Sequence, residues 1–566
     1  MSSHVDLSVH ARRRNLQTLG EDTFDVVIVG GGITGAGIAR DAALRGLRVA
    51  LVERRDFAAG TSSRSSKLIH GGLRYLQQGD VGLVREAATE RYVVRRLAPH
   101  LARPVPMLFP LANRREYAKL SVGMWTFDRL AGVSEAERHR LVTPEEALEI
   151  EPRLRADDLY GGAIHYEYVT DDARLVAEVI KSAVGLGAVV ANHLEVVRFV
   201  TDGGRVNGVE ARDELAGVEL TVRGHAIINA AGPWVDRVRL LSEPTGEPRL
   251  RLTKGVHVGV PSDRIGLSGI VVMNARDKRG VFAIPRGDVT YLGTTDTDYP
   301  EIADYPEVTW EDVGYLLEAA NRTFTFDRPL GAADVVNTWA GLRPLLQQEG
   351  KSPTELSRQD EIMVNDAGLV SIAGGKLTTF RRMAERVMDI VCARLVDAGR
   401  TLPPPVGLSD EQSLSGGETG TDLARYEDYL SSRVREVKRK AIERLVRLYG
   451  SNAVLIVAAM ERDPSRARPY AHDSMLTPAE VDYNVNQEMA MTLEDVLERR
   501  TRLLLWDLGC GLSVAERVSK TMAQLLAWDE GRRERELKEY RALVEKMRSP
   551  SGEPPVEEEE PRAAHG

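Results

Sequence analysis

The sequence predicts an α/β chain with a Rossmann-like first domain, an inserted mixed α+β substrate domain and an all-α C-terminal domain. A strand, a glycine-rich turn, a helix and a second strand follow one another within residues 25–53. Short β-branched runs between turns, such as residues 226–230 and 290–294, then alternate through the middle of the chain. After Gly375 the apolar spacing becomes helical and stays so to about residue 548. This order of patterns indicates a parallel sheet with insertions, followed by a helical domain.

The first unit has the length of a βαβ module. Residues 25–29 form a continuous apolar run, which is typical of a buried parallel strand. Helical spacing covers residues 36–45, and a second apolar run at 48–52 ends on Glu53. Strand, crossover helix and parallel strand are therefore expected in this order.

Composition changes mark the expected divisions of the chain. A Pro- and Gly-rich stretch indicates a linker, and the closing stretch with four consecutive glutamates indicates disorder. Thr477 and Ser513 each precede a glutamate by three residues, which predicts helix N-caps. The predicted divisions are a flexible N-terminus (1–23), a dinucleotide-binding domain (24–400) with interleaved substrate-binding segments near 77–160 and 240–335, a linker (401–422), a helical domain (423–548) and a disordered acidic tail (549–566).

Charge and cysteine content exclude several classes of protein. The 566 residues carry a formal net charge of −9, so the global basic footprint of a nucleic-acid-binding protein is absent. Cys392 and Cys510 are the only cysteines, so no disulfide framework or zinc cluster is expected and no metal site is predicted. No apolar run of eighteen or more residues and no secretory signal occur, which predicts a cytoplasmic protein.

Gly30, Gly32 and Gly35 lie directly after the first strand and directly before the first helix. In this context the first glycine allows a tight turn, the second lets the backbone approach a pyrophosphate, and the third lets the helix pack closely on the strand. The helix N-terminus offers free N–H groups to the phosphates. Glu53, at the end of the second strand, is placed to accept hydrogen bonds from an adenosine ribose. Together these residues predict a dinucleotide site.

Two later segments repeat the geometry of a strand that runs into glycine. One apolar run enters Gly232, and another enters Gly374 and Gly375 with a helix expected beyond them. The N-terminus of that helix is suited to stabilise negative charge on a reduced flavin ring. The first glycine motif alone does not distinguish a flavin from a nicotinamide cofactor. Three such corners favour the flavin.

The motifs together resemble those of the FAD-dependent glycerol-3-phosphate dehydrogenase family. Residues 60–76 (GTSSRSSKLIHGGLRYL) are similar to its flavin-adjacent signature. Further matching segments follow in order at 253–257 (TKGVH), 282–286 (FAIPR), 293–296 (GTTD), 340–345 (AGLRPL) and 374–379 (GGKLTT). The resemblance implies FAD as cofactor and oxidation of sn-glycerol 3-phosphate to dihydroxyacetone phosphate by hydride transfer to flavin N5. It also implies reduction of a membrane quinone by a protein attached peripherally to the inner face of the cell membrane.

That reaction needs a base for the C2 hydroxyl and cations for the phosphate. Imidazole titrates near neutral pH, and similarity to the related oxidases makes His70 the preferred base, with His257 as runner-up. Arg343 is the expected phosphate anchor because a guanidinium matches phosphate oxygens with a planar fork. One of the cations is expected to polarise the developing alkoxide instead; residue type does not assign which one, and Arg343 is kept as a catalytic candidate. The other substrate-binding candidates are Arg74, Tyr75, Lys254 and Lys376.

The remaining cofactor contacts are expected from two loops. The hydroxyls of the first loop are expected to hydrogen-bond the flavin or its pyrophosphate, and the second loop to line the flavin ring. These residues are Thr61, Ser62 and Ser63, and then Gly374, Gly375, Lys376, Leu377 and Thr378.

Residues 104–132 combine large apolar side chains with Arg114, Arg115 and Trp125, a composition that suits an interfacial segment on anionic lipid. A helix packed on its own domain explains the same pattern. A face of the C-terminal helices is a second candidate surface, for a homodimer.

Three alternative functions remain at this point. A glycerol-3-phosphate oxidase producing hydrogen peroxide has overlapping motifs. A related FAD-dependent 2-hydroxy acid or amino acid oxidoreductase also needs arginine for its substrate's carboxylate. A flavin-binding protein that acts in RNA modification, or as a non-catalytic scaffold, is disfavoured by the acidic composition.

Overall fold

A computed structural model describes residues 5–72, 80–347, 360–420 and 422–554. In chain order the strands are β1 (Thr23–Val29), β2 (Val49–Val52), β3 (Leu68–Ile69), β4 (Arg103–Leu111), β5 (Arg140–Val142), β6 (Gly161–Val169), β7 (Val189–Ala191), β8 (Leu194–Asp202), β9 (Arg205–Asp213), β10 (Val218–Asn229), β11 (Leu250–Pro261), β12 (Ile270–Asn274), β13 (Gly280–Arg286), β14 (Val289–Gly293), β15 (Thr297–Asp298), β16 (Asn337–Leu346), β17 (Asp360–Val364) and β18 (Val370–Gly374).

The helices of the described ranges are α1 (Val9–Glu21), α2 (Ile33–Leu44), α3 (Val81–Leu97), α4 (Arg114–Ala131), α5 (Pro144–Ile150), α6 (Asp172–Gly185), α7 (Val235–Arg239), α8 (Ser262–Ile265), α9 (Trp310–Thr323), α10 (Phe380–Asp397), α11 (Leu423–Arg433), α12 (Arg439–Tyr449), α13 (Ala453–Arg462), α14 (Pro478–Gln487), α15 (Leu503–Trp506), α16 (Leu512–Leu526) and α17 (Glu530–Arg548). A π-helical turn covers Asp495–Arg500.

The first sheet has the order β17-β18-β10-β1-β2-β7, and β8 and β9 extend it from β10. The pairs from β18 through to β7 are parallel, whereas β17 is antiparallel to β18. The carboxyl ends of β1, β10 and β18 therefore lie side by side, and each runs into one of the three predicted glycine corners. The predicted βαβ unit is present as β1, α2 and β2.

The second sheet has the order β15-β11-β14-β13-β12-β4-β6-β3, with β16 paired to β11 and β5 paired to β6. One of its faces packs on α9 and α5 through buried aliphatic side chains such as Val258, Leu316 and Ala147. Its strands come from residues 68–169 and 250–346, so both segments end later than the predicted 160 and 335. Sheet and helices together form the inserted mixed α+β domain that the sequence predicts.

The N-terminus departs from the flexible segment predicted for residues 1–23. Ser8 caps α1 by accepting from the Ala11 N–H, and Arg12 on that helix is buried. The Arg12 guanidinium pairs with Asp213 at 2.8 Å and donates to the Asn192 carbonyl at 2.7 Å. This pairing holds the helix on the first sheet.

The C-terminal domain is helical, as predicted, from α11 to α17. Thr477 caps α14 by accepting from the Glu480 N–H, which confirms one predicted cap. The second predicted cap is wrong, because α16 follows Gly511 and Ser513 lies within its first turn. Residues 401–420 contain no regular element, and Arg40 of α2 donates to the carbonyl of Ser409 at 2.8 Å within them. Residues 555–566 of the predicted acidic tail lie outside the described residues.

No helix in the described part of the chain is long and apolar enough to cross a lipid bilayer.

A buried ion cluster joins the first domain to the C-terminal domain. Arg174 of α6 bonds Glu178 and Glu488 at 2.5 Å each, and Lys181 lies 3.0 Å from Glu178. Burial alone raises the pKa of Glu488, but the charges of Arg174 and Lys181 outweigh it and lower that pKa to about 2. Glu488 is therefore charged at neutral pH, and the members of the cluster depend on one another because a lone buried charge is costly.

We expect Arg174→Met to lower the free energy of unfolding by about 3–5 kcal/mol, since it removes the guanidinium from two buried carboxylates and leaves both of them to Lys181. The measurement is denaturant unfolding. Arg198→Met is the matched control, because Arg198 forms an exposed pair with Glu210 and should have little effect. Equal losses in both variants would show that the cluster is not a stabilising joint.

Candidate active site

A cavity of about 1650 Å³ lies between the carboxyl ends of the parallel strands and the inner face of the second sheet. Gly30, Gly32, Glu53, Gly232 and Gly374 all line it, so residues more than 340 positions apart in the chain meet at one site. A crevice at the carboxyl ends of parallel strands is the usual ligand site of such sheets.

The backbone at the first corner is close-packed. Gly30 has φ +112°, a conformation that favours glycine, and a Cβ there would lie 2.6 Å from the carbonyl oxygen of Ala230. A Cβ on Gly35 would collide with the carbonyl oxygen of Gly30. Gly35 itself does not line the cavity but lets α2 approach β1, so that the N-terminus of α2 reaches the cavity wall.

The carboxylate of Glu53 is held at the end of β2 by two backbone donors. Its Oε2 accepts from the Gly31 N–H at 2.6 Å and its Oε1 from the Arg55 N–H at 2.8 Å. Burial raises the pKa of Glu53, and the two backbone hydrogen bonds work in the opposite direction. The side chain lines the cavity, where its remaining lone pairs suit a sugar hydroxyl.

The three hydroxyl side chains of residues 61–63 do not all face the cavity. Thr61 and Ser62 line the cavity; Ser62 Oγ accepts from the Ile33 N–H at 3.0 Å, and Thr61 Oγ1 donates to the Leu342 carbonyl at 2.6 Å. Ser63, a predicted cofactor contact, does not line the cavity. The 3₁₀ turn Thr61–Ser63 directs Ser63 inward, where its hydroxyl donates to the Gly60 carbonyl.

The third corner brings a second helix N-terminus to the cavity. Gly374, Gly375, Lys376, Leu377 and Thr378 all line it. The 3₁₀ turn Leu377–Thr379 continues directly into α10, and no side chain caps the start of α10. The N–H groups of Thr379 and Phe380 bond the carbonyls of Lys376 and Leu377, so the donors that face the cavity belong to the start of the 3₁₀ turn, which no side chain caps.

His70 is the accessible imidazole of the cavity. Its side chain is 42% exposed, and its ring lies 5.6 Å from that of Phe282. Glu167 lies behind it: the carboxylate is 4.0 Å from His70 Nδ1 and accepts from the Gly71 N–H at 3.0 Å. Burial raises the pKa of Glu167, but a hydrogen bond to His165 and the charges of Arg91 and His70 lower it to about 2. A fixed negative charge therefore stands beside His70.

Sequence reasoning missed Glu167. The signal was a lone carboxylate within an otherwise buried strand, because β6 is buried along almost its whole length. A charged residue in such a strand is expected to have a specific partner.

His257 has a different environment. Only 2% of it is exposed, its ring stacks on Trp339 at 5.0 Å, and its Nε2 lies 2.9 Å from Ser66 Oγ. Burial lowers its pKa well below the usual value, and the charges of Lys67 and Arg343 lower it further. His257 lines the cavity as a neutral ring that is a poor proton acceptor.

The predicted cationic residues differ in whether they reach the cavity. Arg343 lines the cavity, and its Nη1 donates to Asp296 at 3.0 Å while Nη2 donates to Thr294 Oγ1 at 3.2 Å. Lys376 lines the same cavity. Arg74 and Tyr75 lie outside the described residues.

Lys254 does not reach the cavity. Its ammonium donates to Asp312 of α9 at 2.6 Å and to the Glu307 carbonyl at 2.9 Å. Successive residues of a strand point to opposite faces, and on β11 Gly255 and His257 take the cavity face. Lys254 therefore faces α9, which corrects its prediction as a substrate-binding residue.

Comparison with known proteins decides the family. A family model described as FAD dependent oxidoreductase matches residues 25–381, and one described as the C-terminal domain of alpha-glycerophosphate oxidase matches residues 408–533. The aerobic glycerol-3-phosphate dehydrogenase of Staphylococcus aureus (strain USA300) is 39% identical over 567 residues, which cover 98% of this chain and 100% of the relative. The chain belongs to the FAD-dependent glycerol-3-phosphate dehydrogenase family. The enzyme of that name from Bacillus subtilis is also 39% identical, over 92% of this chain and 94% of its own.

A solved structure of another member of this dehydrogenase family has the same fold over nearly the whole chain. The glycerol-3-phosphate dehydrogenase from Bacillus halodurans, complexed with FAD, superposes with a TM-score of 0.81 at 36% identity, covering 97% of this chain and 99% of that one. The L-alpha-glycerophosphate oxidase from Mycoplasma pneumoniae has a TM-score of 0.53 at 18% identity, over 69% of this chain and 99% of that one, and shares the fold only.

FAD is the cofactor, and the residues of this dehydrogenase fit it. The N-termini of α2 and α10 face one cavity, the glycine turn at Gly30 has no room for a side chain, and Glu53 presents an acceptor at the ribose position. These are the donors and acceptors that a flavin dinucleotide needs at its pyrophosphate, ring and ribose.

The C-terminal domain holds the loop that carries Glu53. Arg500, in the π-helical turn, donates to both oxygens of Asp56 at 2.6 and 2.9 Å, and Arg499 donates to the same carboxylate at 2.8 Å. Asp56 lies three residues after Glu53. Sequence reasoning missed this contact, because nothing in the local pattern pairs residues so far apart.

We expect Glu53→Gln to weaken FAD binding by about 10–100-fold, because an amide NH₂ would then face a backbone donor and the charged acceptor is lost. Titration of the apoprotein with FAD, followed by flavin fluorescence, measures this. Glu195→Gln is the control, since Glu195 also lines the cavity but pairs with Arg212 and Arg237. Unchanged affinity in Glu53→Gln would remove Glu53 from the cofactor site.

Proposed function

We propose that this protein oxidises sn-glycerol 3-phosphate to dihydroxyacetone phosphate with FAD and passes the electrons to a membrane quinone. The observation that carries the proposal is that the accessible His70 and the cations Arg343 and Lys376 line one cavity with most of the predicted FAD residues. The curated relatives that match over the full chain carry the name aerobic glycerol-3-phosphate dehydrogenase.

Oxidation of the C2 alcohol removes a proton from oxygen and a hydride from carbon. FAD, when bound, supplies the hydride acceptor, N5 of its ring. His70 takes the hydroxyl proton, and the charged Glu167 beside it stabilises the imidazolium that forms. The N–H of Gly71, the residue after His70, donates to the Glu167 carboxylate and so holds it beside the imidazole.

Arg343 is suited to bind the phosphate because its position is fixed before substrate arrives. Asp296, Thr294 and the Thr295 carbonyl hold its guanidinium. Gly255 lies directly beneath this group, and a Cβ there would collide with it. Lys376 adds a second cation to the same cavity wall, as a doubly charged phosphate requires.

The exposed side chains of α4 support the proposed contact with a lipid surface and its quinone. Its Val122 and Trp125 are 66% and 53% exposed, and Arg129 lies over the Trp125 ring at 4.6 Å. Exposed apolar side chains beside arginines suit attachment to the cytoplasmic face of an anionic membrane. A homodimer through the C-terminal helices stays a prediction.

An oxidase that reduces oxygen to hydrogen peroxide is the second candidate. The match of residues 408–533 to the family model of the alpha-glycerophosphate oxidase C-terminal domain favours it. The two candidates share the reductive half-reaction and differ only in the electron acceptor.

Anaerobic mixing of the FAD-loaded protein with sn-glycerol 3-phosphate tests the proposal. We expect rapid bleaching of the oxidised-flavin absorbance, absent with glycerol or lactate. A short-chain quinone should then restore the colour faster than oxygen does, whereas the reverse order would favour the oxidase. A yellow protein that fails to bleach would overturn the proposed substrate.

Separate substitution of the two histidines tests the base. We expect His70→Asn to slow bleaching by about 10²–10⁴-fold with FAD still bound. His257→Asn should keep the wild-type pH dependence of bleaching, because the neutral ring of His257 takes no proton. Flavin absorbance in both variants serves as the control for cofactor content. Loss of the pH dependence in His257→Asn alone would transfer the role of base to His257.

A further inference from the structure

A group of cations lies at the mouth of the cavity, on elements that neither the FAD residues nor the phosphate anchor occupy. It comes from the turn between β12 and β13 and from the last turn of α9, and every member lines the cavity. The members of this rim cluster are Arg276, Lys278, Arg279 and Arg322.

Shared partners hold the rim cluster together. Arg276 and Arg322 lie 3.8 and 3.7 Å from the same carboxylate, Glu318. The Tyr315 ring lies 5.3 Å from Arg279 and 6.0 Å from Arg276. The turn is therefore fixed on one face of α9, and its arginines remain accessible, since the side chains of Arg276 and Arg322 are 60% and 58% exposed.

Asp296 connects the rim cluster to the phosphate anchor. Its carboxylate accepts from Arg343 at 3.0 Å, and its backbone carbonyl accepts from Arg279 at 3.4 Å. Arg279 of the rim cluster and Arg343 therefore share Asp296 as a partner, and both line the same cavity.

The charge of the mouth opposes that of the whole protein. The chain carries a net charge of −9, which repels a dianion at long range. Two carboxylates, Asp277 and Glu318, pair with three of the four cations of the rim cluster, so the cluster keeps a positive surplus. A local surplus of positive charge raises the concentration of anions near the mouth.

We propose that the rim cluster is an outer phosphate subsite, which captures the phosphate of the substrate at the mouth and delivers it to Arg343. The inference rests on the proposed function, because it assumes a phosphorylated substrate. It assigns to the turn between β12 and β13 and to the end of α9 a role in substrate capture that is separate from the chemistry at His70.

The test is the second-order rate constant of anaerobic flavin bleaching by sn-glycerol 3-phosphate at low substrate concentration. The variant carries Arg276→Gln, Lys278→Gln and Arg322→Gln, and leaves Arg279 with its bond to Asp296 intact. We expect its rate constant to fall about 3–10-fold at low ionic strength, more than its limiting rate at saturation falls. At about 0.5 M salt, where screening acts over a few ångströms, the difference from wild type should drop below about twofold.

The matched control carries Lys520→Gln, Arg535→Gln and Lys538→Gln. These side chains are exposed on α16 and α17 and do not line the cavity, and the control removes the same charge. It should bleach at the wild-type rate with the wild-type salt dependence.

Three results would overturn the inference. One is a rim variant whose rate constant and salt dependence match wild type. Another is a rim variant that bleaches normally but loses binding to phosphatidylglycerol vesicles, which would assign the cluster to lipid head groups. A wild-type protein that retains FAD but does not bleach would overturn the proposed function together with the subsite.

Discussion

Parallel pairing of β18, β10 and β1 is the constraint on which the site depends. Because these strands run in the same direction, their carboxyl ends meet at one edge and bring Gly374, Gly232 and Gly30 together. The helices that follow β1 and β18 then point their N-termini at the same space. Had one strand run antiparallel, its glycine turn would lie at the opposite edge of the sheet.

The second sheet adds chemistry to this edge through the alternation of its strands. On β11 the cavity face carries Gly255 and His257, and the other face carries Lys254, which binds α9. Gly255 has no side chain and therefore leaves space on the cavity face for Arg343 of the neighbouring strand. One face of the sheet thus lines the cavity, and the other packs in the core of the domain.

Electrostatics separates the two histidines that lie in the matched motifs. His257 is buried beside the cations Lys67 and Arg343, which disfavour a further positive charge. His70 is open to the cavity and faces the carboxylate of Glu167, which favours that charge. The imidazole is therefore suited to proton transfer at position 70 and to packing at position 257.

The sequence by itself determined the order of elements, the glycine fingerprint with Glu53, the helical C-terminal domain and the family. These features depend on residues close together in the chain, where spacing reflects the periods of helices and strands. Alternation along β11 in the structure places Lys254 and His257, three residues apart, on opposite faces, although residue type alone suggested both for the site.

Only the tertiary structure decided that Ser63 turns inward, that the Glu167 carboxylate lies behind His70 and that Arg500 binds Asp56. It also decided that residues 9–21 are anchored, through Arg12 and Asp213. Except for the turn of Ser63, each of these facts joins side chains from distant segments, up to 444 residues apart for Asp56 and Arg500. Local periodicity carries no information about such pairs, because the packing of whole elements sets the distance between them.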